Sequence, residues 1–127
     1  FKHGYDTGAR IHTNSWGSNT PTYTPTARDA DVFMDKHRDF VVLVAAGNSG
    51  RDGLFSVGSP ASAKNVISVG ASQNAGTPQR GDLDPTTIAS FSSIGPVATG
   101  QIGLHVTSPG AGERFGRGCL LLCGLPL

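Results

Sequence analysis

The residues best suited to chemistry sit in two short turns that carry glycine. One is Gly47-Asn48-Ser49-Gly50 and the other is Ser15-Trp16-Gly17. Glycine lets another backbone come close. Asn48, set between small residues, offers an amide donor to whatever enters. Taken alone, the N-S-G tripeptide fits a plain turn equally well, because asparagine tolerates left-handed φ. The other reactive types are scattered. His3, His12, His37 and His105 share no motif, and Ser49, Ser92 and Ser93 stand in no nucleophile setting. His12 falls in an expected strand and His37 on an expected helix face, so both read as structural. Cys119 and Cys123 form a single C-x-x-x-C pair with no second Cys or His pair nearby, too few ligands for zinc. Asp82 and Asp84 make only a thin D-x-D, and no metal site is assigned.

Both turns follow stretches that read as strands. Residues 9–15 form a short strand, entered from Gly8 and left at Gly17. Residues 19–25 are a loop rich in Thr and Pro. Thr26 then reads as a helix N-cap, with Asp29 at the capping-box position. Ala27, Ala30, Phe33, Met34 and His37 fall on one helical face, and Arg28, Asp31, Asp35, Lys36 and Arg38 cover the rest. The spacing ends this helix near Asp39. Phe40-Val41-Val42-Leu43-Val44-Ala45-Ala46 has no polar alternate, which predicts a parallel strand buried on both faces. Strand, helix and strand make a βαβ unit. Val66-Ile67-Ser68-Val69 reads as a further strand closed by Gly70, and residues 88–91 as a short third one. In open parallel sheets ligands bind beyond the carboxyl ends of the strands. The two glycine turns should therefore share one edge.

Composition narrows the function classes. A length of 127 residues allows one ordinary domain. Only 15% of residues are charged, which argues against a disordered polyelectrolyte. The formal net charge of +1 is spread along the chain, leaving no basic stripe for nucleic acid and no polybasic membrane segment. No apolar stretch approaches the roughly 20 residues of a transmembrane helix. The opening Phe1-Lys2-His3-Gly4-Tyr5 lacks a signal-peptide pattern and a starting Met, so an internal piece of something larger is expected. Residues 1–118 contain no cysteine, which excludes a disulfide-dense scaffold.

Four blocks together carry a family resemblance. They are Ala9-Arg10-Ile11-His12-Thr13-Asn14-Ser15-Trp16-Gly17, Val44-Ala45-Ala46-Gly47-Asn48-Ser49-Gly50, residues 59–71 (from Ser59-Pro60 to Gly70-Ala71), and Ala89-Ser90-Phe91-Ser92-Ser93-Ile94-Gly95-Pro96. In this order and spacing they resemble a subtilisin-type serine protease of a bacterial alkaline-protease branch, over residues 1–112. The resemblance implies an α/β fold, a fragment of a subtilisin-like domain with a mostly parallel sheet and flanking helices. It implies peptide-bond hydrolysis through an acyl-enzyme, by a secreted serine endopeptidase acting on peptides or proteins. Asn48 matches the family's oxyanion-hole donor, and Ser15, Trp16 and Gly17 match the segment that pairs with the bound peptide. Ala45, Ala46, Gly47 and Gly58 match the walls of the primary specificity pocket, where small residues keep a slot open or simply pack tightly. Trp16 either walls that pocket or packs beneath a loop. Ser59-Pro60 matches a cis peptide bond. No cofactor is required for the chemistry. Structural calcium is common in the family, but no dedicated carboxylate loop stands here.

The family's catalytic Asp motif, its H-G-T-H motif and its G-T-S nucleophile motif do not occur in the sequence. Asp6-Thr7-Gly8 resembles the Asp motif but leaves no room for the His motif before Ala9. Val106-Thr107-Ser108-Pro109-Gly110 resembles a later V-x-A-P-G block. Residues 113–127 match nothing further and turn abruptly rich in Leu and Cys, so they read as an atypical tail, truncated, frame-shifted or divergent. Two rivals stand beside the protease reading. One is a non-catalytic subtilase-like binding domain, which the flanking gene sequence would separate by the presence or absence of the three motifs. The other is a nucleotide-binding α/β domain, disfavoured by the lack of G-x-G-x-x-G after a strand and of a Walker A sequence. With three catalytic side chains missing, the purified 127-residue chain should neither turn over a fluorogenic peptide nor be labelled by a fluorophosphonate probe. Stoichiometric labelling of any serine would refute this.

Overall fold

The computed structural model describes residues 1–74 and 84–111. Its elements are helix α1 (Lys2–Asp6), strand β1 (Ile11–Asn14), helix α2 (Pro25–Lys36), strand β2 (Val41–Ala45), a 3-10 turn (Gly50–Asp52), strand β3 (Ile67–Gln73) and strand β4 (Val106–Ala111). The four strands form one sheet in the order β1-β2-β3-β4, and every pairing is parallel. The expected α/β fold with a parallel sheet is present. The tail at residues 113–127 lies outside the described residues.

The N-cap of α2 lies two residues before the expected one. Thr24 is the N-cap, its hydroxyl accepting from the Ala27 N–H at 3.4 Å, and Pro25 opens the first turn. Pro suits that position because its missing N–H has no helical partner there. Ala27 and Ala30 are fully buried against the sheet, with Phe33 and Met34 packed at the rim of the same core. Asp31 departs from the expected solvent face and is buried. Its carboxylate accepts from Tyr23 Oη at 2.7 Å, from Asn65 N at 2.8 Å and from Lys64 N at 3.2 Å. This ties α2 to the entry of β3, and donation to Asp31 raises the Tyr23 phenol above its ordinary range. The helix ends at Lys36, before Asp39, because His37 leaves helical geometry and its ring Nδ1 lies 2.9 Å from the Phe33 carbonyl oxygen.

The short helix α1 was not legible in the sequence, where Gly4 weakens helix propensity. It is held by packing: Phe1 and Tyr5 join Phe33 and Phe40 in an aromatic cluster, with Tyr5 and Phe33 centroids 6.0 Å apart. The Tyr5 hydroxyl donates to Asp39 at 2.9 Å, and Arg10 pairs with the same carboxylate at 2.7 Å. These bonds, that from Tyr5 first, hold Asp39 below the usual carboxylate range.

The strand β2 is not buried on both faces. Val42 and Val44 are fully buried toward α2, whereas Val41 is 37% exposed and Leu43 and Ala45 are half-buried. Both helices pack on one face, and among the described residues no helix covers the other. The strand β3 runs on through Gly70, a residue expected to close it. A Cβ at Gly70 would lie 2.6 Å from Leu104 Cδ1 and 2.9 Å from Ser92 Oγ, so tight packing explains the glycine. Residues 88–91 form no strand; Ile88 makes only an isolated antiparallel bridge with Ser72. The strand β4 was masked in the sequence by Pro109 and Gly110. It sits at the end of the strand order, and its register with β3 shifts at Ser72 and Gln73. An edge position and an irregularity are where a strand tolerates Pro and Gly.

Two buried polar side chains provide a contrast in stability. Asp31→Ala strands three donors and should cost about 3 kcal/mol. Among the described residues the buried Ser68 hydroxyl has no hydrogen-bond partner, so Ser68→Ala should be neutral or stabilise by about 1 kcal/mol. Urea unfolding of the full chain should move the two midpoints in opposite directions, or leave that of Ser68→Ala unmoved.

Candidate functional site

The register of β1 and β2 runs from Ile11 opposite Val41 to Asn14 opposite Val44. Ser15-Trp16-Gly17 and Gly47-Asn48 therefore leave the sheet at the same edge, as the βαβ reading expected. Backbone hydrogen bonds then stitch the remaining candidates to it. Ser18 N donates to Ser59 O at 2.8 Å in an antiparallel bridge, and Gly58 N donates to Ala46 O at 3.1 Å. Gly58 thus lies between the exit of β1 and the exit of β2, so Ser15, Trp16, Gly17, Ala45, Ala46, Gly47 and Gly58 occupy one continuous region.

Close backbone approach, rather than turn geometry, explains two of the glycines. A Cβ on Gly17 would lie 2.8 Å from Ser59 O, and one on Gly58 would strike the Ser18 carbonyl. Both positions sit where the two segments press together. Ser59 adds a side-chain tie, because its hydroxyl is hydrogen-bonded to that of Thr24, the cap of α2. The Ser59–Pro60 peptide is cis, as the resemblance implied, and so is Gly95–Pro96. Trp16 is 59% exposed, which disagrees with packing beneath a loop.

Asn48 is exposed at this edge. The turn's left-handed conformation belongs to Gly47, at φ +116°, and among the described residues the single non-glycine at positive φ is Phe55. A need for left-handed φ therefore does not account for asparagine at position 48. The turn rests on the segment 91–93. Gly50 N donates to Phe91 O at 2.9 Å, Ser93 N donates to Gly47 O at 3.0 Å, and Ser49 N donates to Ser93 Oγ at 3.0 Å. Sequence reasoning set Ser93 aside because it lacks a nucleophile setting. A clue was available in the Ser92-Ser93 pair between Phe91 and Ile94, where a hydroxyl in apolar surroundings must find a backbone partner.

The remaining chemistry-bearing residues stay apart from the edge or serve the fold. Asp6 closes α1 and pairs with Lys2, so the D-T-G sequence is a helix terminus. His12 Nε2 is 2.8 Å from Asn14 Oδ1 within β1, and His105 Nδ1 accepts from Ser68 N at 3.0 Å. Asp84 accepts from the Thr86 hydroxyl and N–H, which hold it below the usual carboxylate range. Asp82 lies outside the described residues. Among the described residues no group of three or more His, Cys, Asp or Glu could hold a metal ion, and no helix is long and apolar enough to cross a membrane. A cavity of about 490 Å³ is lined by Lys64, Gln101 and His105 among others, residues that precede β3 and β4.

Comparison with known proteins gives the family and the fold. The model of the subtilase family, peptidase S8, matches residues 2–121. A 74-residue stretch is 45% identical to the serine protease/ABC transporter B family protein tagD of Dictyostelium discoideum, covering 54% of this chain and 4% of that one. A 70-residue stretch is 43% identical to the serine protease AprX of Bacillus subtilis (strain 168), covering 55% of this chain and 15% of that one. Among solved structures, an S41 psychrophilic protease superposes with a TM-score of 0.63 at 26% identity, over 87% of this chain and 35% of that one. Sphericase gives a TM-score of 0.61 at 26% identity with the same coverage. The chain thus spans a small part of the length of the relatives it matches.

The packing at the edge predicts unequal costs for adding one methyl group. Gly58→Ala forces a Cβ against an immovable backbone carbonyl and should destabilise by about 3 kcal/mol. Gly4→Ala, inside α1, meets Ala9 Cβ at an ordinary 3.8 Å and should stabilise by about 0.5–1 kcal/mol. Chemical denaturation of the two variants checks the contrast.

Proposed function

The chain belongs to the subtilase family, and on that premise we propose that it is part of a serine-type endopeptidase that cleaves peptide bonds through an acyl-enzyme. In such a reaction a serine attacks the scissile carbonyl, a histidine takes its proton, and an aspartate orients the histidine. None of the three comes from a motif in these 127 residues. What this chain contributes is the surface that receives the peptide and the donor that stabilises the developing charge.

The carrying observation is Asn48. It stands exposed at the carboxyl edge of the sheet, in a turn whose unusual backbone is already supplied by Gly47. Attack on a carbonyl carbon moves negative charge onto the oxygen. An amide N–H held beside that oxygen bonds it more strongly in the transition state than in the substrate, and that difference accelerates the step. Backbone groups of Ser15, Trp16 and Gly17 pair with an extended peptide, which admits many sequences because main-chain bonds do not read side chains. Ala45, Ala46, Gly47 and Gly58 leave room for the side chain next to the cut bond. Trp16 borders that slot and favours apolar residues there. The chemistry takes no cofactor from this chain. Residues 1–112 are read as belonging to the catalytic domain, and secretion is proposed from the family alone.

In the full-length protein, Asn48→Leu keeps approximate size and removes the donor. The expected effect is a fall in kcat with KM little changed. Its size is taken over from the subtilisin family's own oxyanion amide, about 10²–10³ in kcat or about 2.7–4 kcal/mol. Steady-state kinetics on a peptide substrate decide the matter. A change confined to KM would assign Asn48 to ground-state binding, and an unchanged kcat would remove it from the mechanism.

A further inference from the structure

We propose that Ser93 is a positioning residue for Asn48, fixing the oxyanion donor through the turn on both of its flanks. The inference rests on the oxyanion reading above. Ser93 is fully buried, yet it lies 45 residues beyond Asn48 in sequence and belongs to no catalytic motif. Two of its polar groups engage the turn, one on each side of Asn48. Its N–H donates to Gly47 O at 3.0 Å, and its Oγ accepts from Ser49 N at 3.0 Å. The contact is also close-packed, since a Cβ on Gly47 would sit 2.8 Å from Ser93 Oγ. A glycine at φ +116° is thus pressed onto the hydroxyl that holds the next turn residue but one.

The platform under Ser93 is itself anchored. Ile94 N donates to Ser56 Oγ at 2.9 Å, and Ser56 N donates to Ile94 O at 3.1 Å. Ser92 Oγ accepts from Ala71 N at 3.0 Å, which ties the same segment to β3. A displacement of Asn48 therefore has to break bonds to a segment bound on its other side to the sheet. Rigidity matters here for a specific reason. A donor aimed at developing charge is worth its full value only if it needs no reorientation during the reaction. A misplacement of about 1 Å can cost as much as 10²-fold in rate.

Removing the Ser93 hydroxyl leaves the Ser49 N–H without its acceptor and frees one flank of the turn. In the full-length protease, Ser93→Ala should lower kcat by about tenfold, with KM within about twofold. Ser93→Cys keeps the shape of the side chain with a larger atom that accepts hydrogen bonds weakly; its kcat should fall between those of the parent and the alanine variant, and it provides the reading if the alanine variant does not fold. Ser62→Ala is the control. It removes a buried hydroxyl that donates to Thr22 O at 3.1 Å rather than to the turn or its platform, so kcat should stay within about twofold while stability drops. The decisive measurement is the double variant. Once Asn48→Leu has removed the donor, adding Ser93→Ala should lower kcat by less than about twofold more, because there is no longer an amide to position. The proposal is overturned if Ser93→Ala leaves kcat unchanged, if its tenfold effect persists in the Asn48→Leu background, or if Ser62→Ala lowers kcat equally. An Asn48→Leu variant with full kcat removes the oxyanion reading itself and Ser93 with it, an outcome told apart from the others by the single variant alone.

Discussion

Asn14, the last residue of β1, stands opposite Val44, the last but one of β2, so the segments that begin at Ser15 and Ala46 leave the sheet side by side. Everything at the candidate site follows from that alignment. Side chains alternate along a strand, and a slip of one residue would exchange the two faces. Val42 and Val44 would then meet the open face and Val41 and Leu43 the helices. Burial of Val42 and Val44 against Ala27 and Ala30 forbids the slip. The same burial that holds the fold together thereby sets the spacing between the two glycine turns. The bridge from Ser18 to Ser59 and the bond from Gly58 to Ala46 become geometrically available only in that register.

The sequence was most readable where one physical signal dominated. The run from Phe40 to Ala46 and the helical spacing of Ala27, Ala30, Phe33 and Met34 each correspond to an observed element. Placing the two turns at one edge needed only the parallel pairing of their strands. Readings failed where tertiary contacts overrode local ones. Asp31 looked like a solvent-facing charge because nothing local shows that two backbone N–H groups from residues 64 and 65 will converge on it. Gly70 looked like a terminator, although packing against Leu104 is what it serves. Pro109 and Gly110 hid β4, since their tolerance depends on an edge position invisible in a linear reading. The role of Ser93 was hidden for the same reason, because its partners lie more than 40 residues away.

The candidate site is built almost wholly from backbone groups, small residues and neutral side chains. Ser15, Trp16, Gly17, Ala45, Ala46, Gly47, Asn48 and Gly58 include no titratable group. The shifted groups Tyr5, Asp39 and Tyr23 instead bind helices and loops to one another. A site of this kind cannot set reactivity by moving a pKa. In the role proposed for Asn48 its leverage is positional: the energy of a neutral amide beside a forming oxyanion depends on where the amide is held, and hardly on pH. That places the burden on the supports of the turn. Gly47, whose backbone takes the left-handed bend, and Ser93, whose N–H and hydroxyl grip the residues flanking Asn48, are such supports, and neither carries charge. Mutational sensitivity at this edge should therefore follow packing and hydrogen-bond geometry beneath the surface more closely than the chemistry of the residues exposed on it.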